Sequence, residues 1–233
     1  PLAAHTHAFT QVVSLTPGKV QPLVLPAPSQ ISSVDVLTLT FSASPRLAWF
    51  DAALAMTQAP MGDTVAEAGR VFAAVVCRDL LVDSTPRLGP YADLDHATGT
   101  LLRQWRPDGF AVLPSHTHGD LQATATVAWA MQVARAPHHR WPSWASTRSA
   151  QTLNRALRQW ALSSQEAPPQ IRATMALASL ALAEARRPIP QGALKALVKE
   201  HASLPYAAQA QLMAALALYD ADAWKDTIRA LRR

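Results

Sequence analysis

The sequence predicts a mainly α protein, a run of antiparallel helical hairpins behind a short β-rich lead-in, and three observations carry that prediction. From Ser44 onward the chain is rich in Ala, Leu, Arg and Gln, a mixture of good helix formers. Apolar residues then recur at i, i+3, i+4 and i+7 in one segment after another. The segments are joined by short connections, so neighbouring helices should run antiparallel.

The lead-in reads differently. Residues 1 to 41 carry no charged side chain except Lys19 and Asp35. Stretches 9–15, 19–25 and 33–41 cluster Val, Leu, Thr and Phe between Pro-Gly and Pro-Ala-Pro-Ser punctuation, as short strands do. Three strands so rich in proline make a poor independent sheet, so the segment is expected to pack on a neighbouring domain or on the helices. The domain boundary falls near Ser44, giving a β-rich segment over 1–43 and a helical domain over 44–233.

Ser44-Pro45 sets a cap and a first-turn proline for a helix that ends near Pro60. Gly62-Asp-Thr64 opens the next, in which Thr64 and Glu67 have capping-box spacing and Val71, Val75, Leu80 and Leu81 supply an apolar side as far as Val82. Further helices are predicted at about 92–105, 119–135, 145–163, 168–186, 191–202, 204–219 and 221–231. The segment 168–186 has Ala or Leu on nearly every face and should lie inward. Those at 145–162 and from Ala221 on are more clearly two-faced and should lie outside. Stacked hairpins form either an open solenoid or a closed ring; the lack of a fixed repeat period favours the ring.

Composition narrows the function. The 49% apolar content of 233 residues is ample for a packed core. A net charge of +5, mostly Arg in the second half, favours acidic partners only weakly. No apolar run approaches the roughly 20 residues of a membrane span, and the N-terminus lacks the pattern of a signal peptide. The start at Pro1 points to a processed product or a piece of a longer protein. The single Cys77, within Val71-Phe-Ala-Ala-Val-Val-Cys77, excludes an internal disulfide and reads as a buried structural thiol.

No complete catalytic constellation is present, so the chain is read as a non-enzymatic binding or interaction domain. His116-Thr-His118-Gly-Asp120 resembles the front half of a metallo-hydrolase ligand set, but Leu121 stands where a further His is needed. His116, His118 and Asp120 are therefore taken as a possible interaction loop, with Asp120 as the cap of the next helix, and no metal or cofactor is expected. His138-His139-Arg140-Trp141 offers cations beside an aromatic ring and reads as a solvated turn; no nucleic-acid partner is expected. Arg148, Arg155 and Arg158 share one helical stripe, read as an exposed face. Asp93 and Asp95 open a helix and need no catalytic role. Two alternatives stay open on residues alone: a toroid enzyme of glycosidase or cyclase type, which needs two convergent acids in a central cavity, and a helical-repeat scaffold that binds proteins.

Three stretches, in order, resemble the thioester domain of bacterial alpha-2-macroglobulin-like proteins. Leu37-Thr-Leu-Thr-Phe-Ser-Ala-Ser-Pro45 is similar to the family's strand and Ser-Pro entry to the first toroid helix. Pro60-Met-Gly-Asp-Thr-Val-Ala66 stands where the family has Pro-Tyr-Gly-Cys-x-Glu-Gln. Gln104-Trp-Arg-Pro-Asp-Gly-Phe110 is similar to its Gln-x-x-Asp-Gly-Gly-Phe turn and is followed, as there, by a Thr-containing helix. The resemblance implies an α/α toroid of helical hairpins, with the lead-in belonging to a preceding β domain. It also implies a periplasmic peptidase-trapping protein, whose partners are peptidases and other domains or proteins of the same system. Membrane attachment would come only through parts of the full-length protein outside this chain. Toroids of the family usually run on past residue 233, which implies an incomplete ring.

The departures are as informative. In thioester-bearing members a Cys thiol and a Gln carboxamide condense into an internal thioester that captures an attacking nucleophile. Here Asp63 takes the Cys position, Val65 the Glu and Ala66 the Gln, with Gly62 and Thr64 beside them. A carboxylate and a methyl group cannot form that bond, and Cys77 lies almost four helical turns further on. The resemblance thus points to the class that lacks the thioester and holds peptidases noncovalently.

Overall fold

Alanine dominates the inner helices of this protein, and its small side chain lets helix axes approach closely while both flanks stay buried. The structure, a computed structural model, describes residues 62–80, 90–135, 140–163 and 167–231. All of them belong to the second of two units, Ser42–Arg233. The predicted strands at 9–15, 19–25 and 33–41, the predicted helix at 44–60 and His138 and His139 lie outside the described residues.

The described part is mainly helical: α1 (Thr64–Leu80), α2 (Pro90–Arg103), α3 (Leu121–Val133), α4 (Ser143–Leu162), α5 (Pro169–Glu184), α6 (Gln191–Lys199), α7 (Tyr206–Asp220) and α8 (Lys225–Leu231). A two-residue antiparallel hairpin follows α2, with β1 (Trp105–Arg106) paired to β2 (Gly109–Phe110), Trp105 opposite Phe110 and Arg106 opposite Gly109. Cys77 lies within α1.

Most helices start and stop within two or three residues of expectation, for reasons visible in the local chemistry. Pro169 begins α5 because its fixed φ suits the first turn and its missing N–H would be unpaired there anyway. Two ends differ from the prediction. The segment 191–202 stops at Lys199, and His201–Ser203 form a 3₁₀ turn in which the Ser203 hydroxyl donates to the Glu200 carbonyl. The last helix begins at Lys225 rather than 221, because the Asp220 carboxylate accepts from the Ala223 N–H and holds 221–224 as a turn.

Packing sorts the helices into two layers. α1 packs on α3, α3 on α5 and α5 on α7, so the odd-numbered helices form one layer. α2 covers α1, α4 covers α3 and α5, α6 packs on α4, and α8 covers α7. α5 is the hub: every residue from Met175 to Ala183 is buried, as its apolar pattern on all faces requires. α4 is an outer helix. It buries only Ala145, Ser149, Leu153 and Leu157, one residue per turn, and turns a polar face outward. One apolar core centres on α5 with Leu153, Leu157, Leu194, Leu212 and Leu216; a second joins α1, α2, α3 and the hairpin around Val71, Leu101, Phe110 and Met131.

Candidate functional site

The site follows from how α1 begins. The Asp63 carboxylate accepts from the Ala66 N–H at 2.7 Å, and the Asp63 carbonyl accepts from the Glu67 N–H at 3.0 Å, so Asp63 caps α1. The expected capping box of Thr64 with Glu67 does not form. Thr64 is buried, and its hydroxyl donates instead to the Ala111 carbonyl at 2.5 Å while its N–H donates to the Val112 carbonyl at 2.8 Å. A long-range partner thus takes the hydroxyl away from the helix end. The Glu67 carboxylate faces Arg70 at 3.6 Å on the same helix. Gly62 is exposed with open space at its α-carbon, Val65 packs at the edge of the second core, and Ala66 is half-buried.

Residues 104–120 form the platform to which α1 is tied. The Ala111 N–H donates to the Gln104 carbonyl at 3.0 Å, continuing the hairpin ladder by one step. Gly109 adopts φ +144°, and an added Cβ would lie 2.4 Å from Thr124 Oγ1. The Thr124 hydroxyl accepts from the Phe110 N–H at 2.9 Å and donates to the Asp120 carbonyl at 2.7 Å, so a fully buried threonine links hairpin, loop and α3. The Arg106 guanidinium reaches four carbonyls: Pro114 and His116 at 2.8 Å, Trp105 at 3.0 Å and Arg103 at 3.1 Å.

The residues of the predicted interaction loop are placed separately. Asp120 accepts from the Ala123 N–H at 2.8 Å and caps α3. His116 contributes its carbonyl to the Arg106 clamp, and its side chain is exposed. His118 Nδ1 lies 3.4 Å from Asp108, and both side chains are more than half exposed. The Asp108 carboxylate also accepts from the Gly119 N–H at 2.6 Å. That backbone N–H holds the Asp108 carboxyl below its ordinary value of 3.8; partial desolvation opposes the shift, and Asp108's own backbone N–H and His118 add to it. Among the described residues, no three His, Cys, Asp or Glu side chains converge as a metal site would need. Arg148, Arg155 and Arg158 are exposed along α4.

Chemically, the start of α1 offers a capped helix with a carboxylate at 63 and a methyl at 66. The tie from Thr64 to Ala111 and Val112, the Arg106 clamp and the Thr124 bridge were not visible as site features in the sequence. Each uses backbone carbonyls or amides as partners, and these leave no spacing signature. Only the Pro-Asp-Gly turn at 107–109 marked the place.

The sequence matches no protein-family model and no curated protein. The fold is similar to part of solved bacterial alpha-2-macroglobulins. Native E. coli alpha-2-macroglobulin seen by cryo-EM matches 80% of this chain with a TM-score of 0.63 and 21% identity, over 12% of that chain. A crystal structure of a C-terminal portion of the native E. coli protein matches 80% with a TM-score of 0.61 and 20% identity, over 30% of that chain. Salmonella alpha-2-macroglobulin reacted with methylamine matches 78% with a TM-score of 0.63 and 19% identity, over 13% of that chain. This chain therefore spans only a minor part of the solved chains it matches, 30% of the C-terminal portion and 12–13% of the other two.

Proposed function

We propose that this chain is the helical domain of a bacterial alpha-2-macroglobulin-like, peptidase-trapping protein in which the thioester has been replaced by a capped helix start. On this reading the domain is not catalytic. It acts through shape and through interfaces with peptidases and with other domains or proteins of the same periplasmic system. The two-layer helical array is then part of an α/α toroid spanning 44–233, residues 1–43 belong to a preceding β domain, and any membrane anchor lies elsewhere in the full-length protein.

The observation that carries the reading is the Asp63 to Ala66 hydrogen bond of 2.7 Å. The two positions that a thioester would join across one helical turn are here joined by a cap. An oxygen acceptor bonds the helix's own N–H, and the second side chain is a methyl group with no acyl carbon to offer. The fold likeness over 80% of the chain supports the same scaffold, and the similar Salmonella protein is one that was studied after reaction with methylamine.

Methylamine supplies the test. Incubation of the chain with it, followed by intact-mass measurement, should leave the mass unchanged. A single-site methylamine adduct would overturn the proposal. A crystal structure in which residues 44–233 form an open superhelix with separated ends, in place of a curving ring of hairpins, would overturn the toroid assignment and favour a repeat scaffold.

A further inference from the structure

From Leu121 to Gln165 the chain contains no Asp or Glu and five Arg. Three of these, Arg148, Arg155 and Arg158, lie on α4, a helix of 20 residues and so about 30 Å long. At 100° per residue, Trp144, Arg148, Gln151, Arg155, Arg158 and Leu162 fall on one face, and all six are exposed, Leu162 to 86%. The opposite face is the buried one. None of the three guanidinium groups makes a hydrogen bond or ion pair with another described residue; Arg148 lies 5.8 Å from the centre of the Trp144 ring.

Such a face is unusual for a solvated outer helix, where acids at i+3 or i+4 normally offset the bases. Here a cationic stripe runs between an aromatic residue at one end and an exposed leucine at the other. Arg and Trp are the side chains that most often anchor protein interfaces, and a guanidinium fork pairs two-pronged with a carboxylate.

We propose that the outer face of α4 is a docking surface for an acidic helical segment of a partner protein. Its carboxylates would match Arg148, Arg155 and Arg158, about 10 Å and 5 Å apart along the axis, and an apolar residue at each end would meet Trp144 and Leu162. Other anionic partners fit less well. A membrane-surface helix needs a continuous apolar face toward the bilayer, and that face of α4 is used inside the protein. Duplex DNA carries a charge about every 1.7 Å, and three cations spread along the helix neutralise little of it. This inference does not depend on the ancestry proposed above.

The test uses the full chain and a fluorescein-labelled helical peptide of Ala and Gln, with Glu at i, i+3 and i+10 and a Leu at each end, read by fluorescence anisotropy. The peptide should bind, bind more weakly as salt rises, and lose about tenfold or more in affinity when Arg148, Arg155 and Arg158 are all changed to Ala. Changing the same three to Lys, which keeps the charge but not the fork, should give an intermediate loss. All three residues are exposed, so an unchanged thermal melt checks that the variants fold. Four results would each overturn the proposal. These are no binding at peptide concentrations of about 1 mM, equal binding by wild type and the Ala variant, equally tight and equally Arg-dependent binding of duplex DNA or phosphatidylglycerol vesicles, or self-association of the chain that the Ala variant abolishes.

Discussion

Gly119 and Gly109 meet backbone to backbone: a Cβ placed on Gly119 would lie 2.6 Å from both the Cα and the N of Gly109. The loop before α3 can cross the β1–β2 turn this closely only because Gly119 carries no side chain, whereas a Cβ on Gly109 would meet Gly119 Cα at an ordinary 3.8 Å. Gly109 is held from its other side as well, by Thr124 Oγ1, and its φ of +144° is one that side-chain-bearing residues rarely adopt. Gly119→Ala and Gly109→Ala should therefore each lower the unfolding free energy by about 2 kcal/mol or more in urea titrations, since the clash is with rigid backbone or a hydrogen-bonded hydroxyl. Gly62→Ala, which meets nothing within 4 Å, should change it by less than about 0.5 kcal/mol. Equal effects at the three sites would refute the crossing.

The tie between α1 and this platform makes a second prediction. Thr64→Val keeps the shape of a buried side chain but leaves the Ala111 carbonyl without its hydroxyl donor, and should cost about 1–3 kcal/mol. Thr64→Ser retains the hydroxyl and should cost less. Asp63→Ala removes the cap and should cost about 1 kcal/mol, with Asp63→Asn recovering most of it. Were Thr64→Val, which loses only the hydroxyl, to cost nothing measurable, the hydrogen bond to Ala111 would not be what holds α1 to the platform.

Acid should loosen the same loop. Asp108 has its carboxyl lowered from 3.8, first by the Gly119 N–H, so its contribution is complete above the unfolded carboxylate value of about 4 and is lost as pH falls through the lower folded value. NMR titration should place Asp108 below an ordinary aspartate, and Gly119 amide exchange should quicken in that acid range relative to the core. His118→Ala should leave most of the depression in place, because the backbone N–H is the larger cause. A folded-state titration at or above 3.8 would contradict the assignment.

How far the sequence anticipated this site depends on what kind of partner each residue has. The start of α1 at Thr64 was legible because Gly-Asp-Thr is a local signal, but which residue caps it was not. Asp63 and Thr64 are both good caps, and the choice was decided by Ala111, 47 residues away. The inward position of 168–186 and the outward one of 145–162 followed from apolar patterning alone, since burial on all sides and burial on one side leave different periodicities. Arg106 left no trace in advance, because its four acceptors are main-chain carbonyls and any sequence at 103–116 would supply them. The Asp220 turn that delays α8 was readable in principle as an aspartate before Ala-Asp-Ala, but the apolar spacing of 221–231 outweighed it.

The end of α5 carries the last prediction. Arg186 adopts φ +52°, in the left-handed region where a Cβ crowds the backbone. It does so because α5 closes with two reversed hydrogen bonds: the Arg186 N–H donates to the Ala183 carbonyl at 2.9 Å and the Arg187 N–H to the Leu182 carbonyl at 2.9 Å. That pair satisfies carbonyls the helix end would otherwise leave open, and it demands a left-handed residue between them, where glycine is usual. Arg186 is exposed and makes no side-chain hydrogen bond or ion pair with another described residue, so little is lost on removing its side chain. Against the relief of backbone strain stands the greater freedom of glycine in the unfolded chain, which takes back part of the gain. Arg186→Gly should still stabilise the protein by about 0.5–1 kcal/mol, raising the urea midpoint without changing the slope, whereas Arg186→Val should destabilise it by at least as much. Were Arg186→Gly destabilising instead, the two closing hydrogen bonds would not be what holds this residue left-handed.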